Sequence, residues 1–101
     1  MKKPRKSRAK KHEIQLPARL DYGVFETLRS EISARRGGPL RLVADKVEYL
    51  SAAAAELLIV TWMSWKDSGH DMAIAAPSEN FVSGLEMLGI SPFEIPIEDT
   101  R

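Results

Sequence analysis

Ile14 and Leu16 are separated by one polar residue, an alternation that predicts a first strand. Asp21 stands where a helix N-cap belongs, and Val24, Phe25, Leu28 and Ile32 follow at helical spacing. Arg35 and Arg36 fall in the last turn of that helix, and Gly37-Gly38-Pro39 stops it. Leu40, Leu42 and Ala44 alternate in a second strand, which continues towards Val47 and Leu50 after a break at Asp45-Lys46. Ser51 is the expected N-cap of a long helix running to about Lys66, opened by four alanines, the residue of highest helix propensity.

The apolar residues of this central helix (Leu57, Leu58, Ile59, Val60, Trp62, Met63, Trp65) go nearly all round it, which predicts burial on more than one side. Core filling is expected of Trp62, whereas Trp65, near the helix end, is open to either a core or a binding role. Asp67-Ser-Gly-His70 reads as a turn, and Met72 to Ala75 as a third strand. Ser78 caps a last helix bearing Phe81, Val82, Leu85 and Leu88 on one face, with Gly89 and Pro92 beyond it. Glu94-Ile-Pro-Ile97 is a short strand, placed at a sheet edge by its proline. The order β-α-β-α-β-α-β predicts an α/β fold, a mostly parallel four- to five-stranded sheet with helices packed against it.

Composition narrows the function classes. A chain of 101 residues with 44% apolar content supports one small core. It contains no cysteine, which removes disulfides, thiol nucleophiles and zinc–thiolate sites. The longest apolar run, Leu57 to Met63, is far shorter than the roughly 20 residues that span a bilayer, and no apolar segment of a secretory signal follows the basic start. A cytoplasmic protein is expected.

The net charge of +1 conceals a division. Residues 1–12 carry seven lysines and arginines and no acid, leaving eight basic against fourteen acidic residues beyond, a net −6. The expected organisation is a disordered basic tail over 1–12 and one domain over 13–101. Such a tail suits nucleic acid, anionic lipid or an acidic partner, or serves only solubility.

Candidate catalytic groups are few. His70 sits between Asp67 and Asp71, an arrangement compatible with a metal ligand, a general base or a solvated turn. Paired histidines at ligand spacing are absent from the sequence, and Gly37-Gly38 follows a helix instead of joining a strand to one, so it is a helix stop and not a phosphate-binding loop. No catalytic residue, cofactor or metal is assigned. Asp45, Glu48 and Glu56 flank the turn at Ser51-Ala52-Ala53 and suit recognition of a basic partner surface, although acids near a helix start also favour its dipole.

Over 14–97 the chain resembles the STAS family, named for sulfate transporters and anti-sigma factor antagonists. The resemblance rests on Leu16-Pro-Ala-Arg-Leu-Asp21, on Val47-Glu-Tyr-Leu-Ser51 entering an apolar helix, on Gly69 with the strand Met72–Ala75, and on Pro77-Ser78 before a helix ending Leu88-Gly89-Ile90. Family members that antagonise anti-sigma factors carry an Asp-Ser-Ser-Gly turn phosphorylated on the serine after the aspartate. Laid on this chain that run is Ser51-Ala52-Ala53-Ala54, so the resemblance puts alanine, Ala52, at the acceptor position. Ser51 is offset by one and suits a cap.

Within the family the chain looks most like the short single-domain proteins of bacterial chemotaxis operons, sharing Arg36-Gly-Gly-Pro-Leu40, Trp65-x-Asp-x-Gly69 and Pro77-Ser-x-x-Phe81. The resemblance implies a non-enzymatic signalling adaptor that binds a chemotaxis-type histidine kinase. The alternatives are a STAS subunit clamping the ATPase of a lipid-trafficking ABC transporter and a regulator like the anti-sigma factor antagonists. Under this reading the partner-binding residues are Asp45, Glu48, Ser51, Ala52, Ala53 and Glu56. No small-molecule substrate is implied, and nucleic acid only through the tail.

Overall fold

Ile14, Leu42 and Ile74 lie side by side at the centre of three parallel strands, and this row is the spine of the core. The computed structural model describes residues 12–91 and 95–98. Strands β1 (Glu13–Gln15), β3 (Leu40–Val43) and β5 (Met72–Ala75) form one sheet in the order β1-β3-β5. A second parallel pair joins β2 (Arg19–Leu20) to β4 (Tyr49–Leu50), with Leu20 opposite Leu50. The five described strands are thus split three and two, where the apolar pattern predicts one continuous sheet. The residues between β3 and β4 explain the split. The Val47 amide turns back to the Ala44 carbonyl, Val47 drops into the core, and the chain re-emerges against the Ala18 carbonyl through the Glu48 amide.

Helix α1 (Phe25–Ser33) links the first part of the fold to β3, α2 (Ala52–Asp67) links β4 to β5, and α3 (Glu79–Met87) packs near β4. Asp21 caps as expected, accepting from the Gly23 amide, but what it opens is a 3-10 turn over Tyr22–Val24 ahead of α1. Arg35 and Arg36 are not in the last helical turn. The helix stops at Ser33, and both arginines belong to the turn that leads to Gly37, whose φ of 98° is one that glycine adopts without strain. Segment 94–97 forms no strand among the described residues. Glu94 lies outside them, and Ile97 makes a single parallel bridge to Ile74 that covers the outer edge of β5.

The sheet is asymmetric. Leu40, Leu42, Met72 and Ile74 point into the helix-covered core, while the opposite face carries half-buried Glu13, Arg41 and Glu98. Arg41 pairs with both carboxylates, 3.0 Å to Glu98 Oε1, and its guanidinium pKa is raised by the hydrogen bonds to Glu98 and Glu13. Among the described residues that face carries charge where parallel sheets generally have a second helical layer.

Of the two tryptophans it is Trp65, left open by its position, and not Trp62 that fills the core. Trp65 is buried to 2% exposure and Trp62 is only half-buried. Trp65 lies one turn after Thr61 and two after Leu58 on the core-facing line of α2, and its indole N–H finds an acceptor in the Gly38 carbonyl at 2.7 Å. A buried Trp needs such an acceptor. Nor is α2 buried all round, since Val60 is 60% and Met63 58% exposed.

The basic-tail expectation falls on residues outside the described part except at His12. Its carbonyl accepts from the Arg41 amide at 2.8 Å, so His12 belongs to the folded unit. Among the described residues no helix is long and apolar enough to cross a membrane.

Candidate functional site

Parallel strands deliver their C-terminal ends to one edge of the fold, and the Ser51 turn lies there. The Ser51 amide donates to the Leu20 carbonyl at 2.9 Å, which places the start of α2 beside Asp21 and Tyr22 at the end of β2. Ser51 is extended (φ −82°, ψ 161°) and its Oγ accepts from the Ala54 amide at 3.1 Å, so the hydroxyl is engaged as an N-cap. Ala52 is exposed, Ala53 half-buried, and Ala54 and Ala55 are buried against the core. The first turn of α2 therefore presents one alanine outward and anchors itself with two others.

Asp45, Glu48 and Glu56 are all exposed. Asp45 follows β3 and accepts a hydrogen bond from Gln15 Nε2 at 3.0 Å, which fixes it above the end of β1. Glu48 leads into β4, and Glu56 lies one turn along α2 from Ala52. The structure thus brings the residues singled out by sequence to one end of the molecule, with Ala52 and Glu56 in line along α2 and Asp45 and Glu48 on the loop that enters β4.

From Ala52 an exposed line continues at helical spacing through Glu56, Val60 and Met63. Two large apolar side chains more than half exposed on one helical line are a feature of interaction surfaces. Sequence reasoning missed Val60 and Met63 because their apolar character reads as core, and it missed Tyr22, 83% exposed, because the helical repeat starts only at Val24 and leaves Tyr22 without a role. One signal was available for Tyr22, which sits in the first position after a cap, before the apolar repeat begins; for Val60 and Met63 there was none, because packing and not sequence selects the Ala54–Leu58–Thr61–Trp65 core line. Ala76, whose φ of 48° is strained for a residue with a side chain, also lies at this edge, just past β5.

His70 is half-buried and shares a recess with Arg36, Gly37, Trp65 and Ser68. Beside His70 that recess is lined by one further charged side chain, Arg36, and by no carboxylate. Among the described residues no group of three His, Asp or Glu side chains is placed to hold a metal ion. Comparison with family models, with curated proteins and with solved structures returns no match for this chain.

Proposed function

We propose that the chain is a non-enzymatic cytoplasmic adaptor of STAS type that binds a signalling histidine kinase through the surface opened by Ala52. One observation carries this reading: an exposed alanine at the first position of a capped helix, heading an exposed line that runs to Val60 and Met63. Under the resemblance Ala52 replaces a phospho-acceptor serine. Phosphate there would add about −1.5 to −2 charges, enough to eject a docked partner. Alanine leaves the surface in the small, uncharged state, and binding then depends on the concentration and state of the partner. The acids Asp45, Glu48 and Glu56 around it favour a partner patch that is basic.

Ala52→Arg tests the reading. A first-turn, solvent-facing position accepts Arg with little loss of helix propensity, so thermal unfolding is expected to stay close to wild type. Calorimetric affinity for a chemotaxis-type histidine kinase is expected to fall at least about thirtyfold, because an unpaired charge at an interface centre costs roughly 2 kcal/mol or more. Wild-type affinity in a folded Ala52→Arg chain would place the docking surface elsewhere.

A further inference from the structure

At the opposite edge of the fold, where the strands begin, the structure forms a second polar feature. A cleft of about 350 Å³ is lined by His12, Ala34, Arg35, Arg36, Gly37 and Gly38. A smaller recess of about 110 Å³ meets it at Arg36 and Gly37 and is closed by Trp65, Ser68 and His70. Two guanidinium groups and two imidazoles therefore line two adjoining recesses.

The arginines in it differ from the others described. Arg19, Arg29 and Arg41 each pair with a carboxylate, whereas Arg35 and Arg36 make no ion pair among the described residues. Asp67 and Asp71 flank His70 in sequence, yet neither reaches these two guanidiniums. Arg36 is held in place by its environment. It stacks over the Trp65 ring, 5.0 Å from guanidinium carbon to ring centroid, and donates to Ser64 Oγ at 3.0 Å. Arg35 donates to the Glu31 carbonyl at 3.0 Å through Nη1, while its Nε is buried with no hydrogen-bond partner among the described residues. A guanidinium without a carboxylate partner keeps charge-assisted hydrogen-bonding capacity that an oxyanion can take up. Trp65 fixes the turn itself through its bond to the Gly38 carbonyl. Gly37, at φ 98°, allows the turn that forms the rim.

We propose that this cleft binds the phosphate group of a small soluble phosphoester. Guanidinium forks recognise phosphate by paired charge-assisted hydrogen bonds, and Arg36 is already oriented for one by its indole platform. The recess is concave, which favours a compact ligand over a polymer lying along a flat basic stripe. The site lies at the far end of α2 from Ala52, so occupancy and partner docking are separable.

The test is a titration of the full-length ¹⁵N-labelled chain with inorganic phosphate, following the indole N–H resonances. Trp65 is expected to shift saturably, Trp62 to stay in place as an internal reference, and phenyl phosphate to give the same response. Arg35→Gln and Arg36→Gln, tested separately, are each expected to weaken binding at least about tenfold, and Arg29→Gln to leave it unchanged. The proposal is overturned by the absence of a saturable Trp65 shift, by equal movement of both indoles, or by undiminished binding in both folded variants. Capture on phosphatidylglycerol vesicles that depends on Arg35 and Arg36, without a response to soluble phosphate, would overturn it in favour of a membrane headgroup. A shift produced only by a single-stranded oligonucleotide would overturn it in favour of nucleic acid.

Discussion

Replacing Trp65 by phenylalanine should be among the most damaging conservative changes available to this chain. The indole is 2% exposed, so the lost ring atoms leave a void in packed surroundings. Losing the pyrrole ring from such a site costs about 1 kcal/mol. The Gly38 carbonyl, now served at 2.7 Å, loses its donor in a part-buried setting, at a cost of about 1–3 kcal/mol. The Arg36 guanidinium keeps an aromatic face but a poorer one, a loss of under about 0.5 kcal/mol. Because these effects share one side chain they do not simply add, and about 3 kcal/mol is a fair central value.

That is a large share of the roughly 5–15 kcal/mol that holds a small domain together. It corresponds to a fall of about 12–24 °C in midpoint for a domain of this size. Trp62→Phe removes a ring that is half-buried beneath Lys66, 5.2 Å away, and should cost about 1 kcal/mol or less. Urea unfolding followed by circular dichroism, which does not depend on the removed fluorophore, separates the two if slopes stay constant. A Trp62→Phe chain destabilised as much as Trp65→Phe, or more, would refute the assignment of Trp65 to the core.

Three further outcomes test other parts of the structure. Ser78→Ala should cost about 2 kcal/mol and Ser51→Ala about 1, since Ser78 Oγ both accepts from the Phe81 amide and donates to the Val47 carbonyl at 2.6 Å, whereas Ser51 Oγ only caps; equal midpoints would refute the added tether. Gly84→Ala gains about 1 kcal/mol of helix propensity but puts a methyl 3.1 Å from Leu50 Cβ, and crowding of about 1–3 kcal/mol should make it net destabilising; a higher urea midpoint would mean that β4 yields. Arg41→Gln should destabilise by about 1 kcal/mol or less, the groups being partly exposed, and by the same amount at about pH 6 and about pH 9. Its folded pKa is raised above an already high unfolded value, so the contribution is fully present below that unfolded value and is lost only as pH rises through the folded one, beyond both conditions.

The legible part of the fold is the part governed by local chemistry. Ser51 and Ser78 stand at caps because their hydroxyls compete for backbone amides, a preference written in single residues. Gly69 ends α2 because the chain must turn left-handed there (φ 81°), letting the His70 amide reach the Trp65 carbonyl at 3.0 Å. Strand positions β1, β3 and β5 follow from alternation. The separation of β2 and β4 does not, because it depends on Val47 entering the core between two strands, and an apolar residue after a break reads equally well as strand continuation. The end of α1 departs from the sequence pattern for a similar reason. Arg35 and Arg36 are good helix formers and suit a helix C-terminus, yet tertiary contacts to Trp65 and Ser64 take Arg36 out of the helix.

Helix α2 shows why site residues were harder to read than elements. Its sequence is apolar on every side, so periodicity cannot say which side faces the core. Three-dimensional packing chooses the line Ala54, Leu58, Thr61, Trp65, and that choice fixes the rest by geometry. Ala52, Glu56, Val60 and Met63 must then face outward, and Trp65 must turn inward at the last turn, where it meets the Gly37-Gly38 segment. Both proposed sites are consequences of that one rotational setting of the helix. Rotating α2 by half a turn would bury the Ala52 line and withdraw the indole on which Arg36 rests. A single packing decision in the core thus determines what surface is offered at each end of the same helix, and Trp65→Phe, which weakens that decision, should disturb phosphate binding more than Trp62→Phe does.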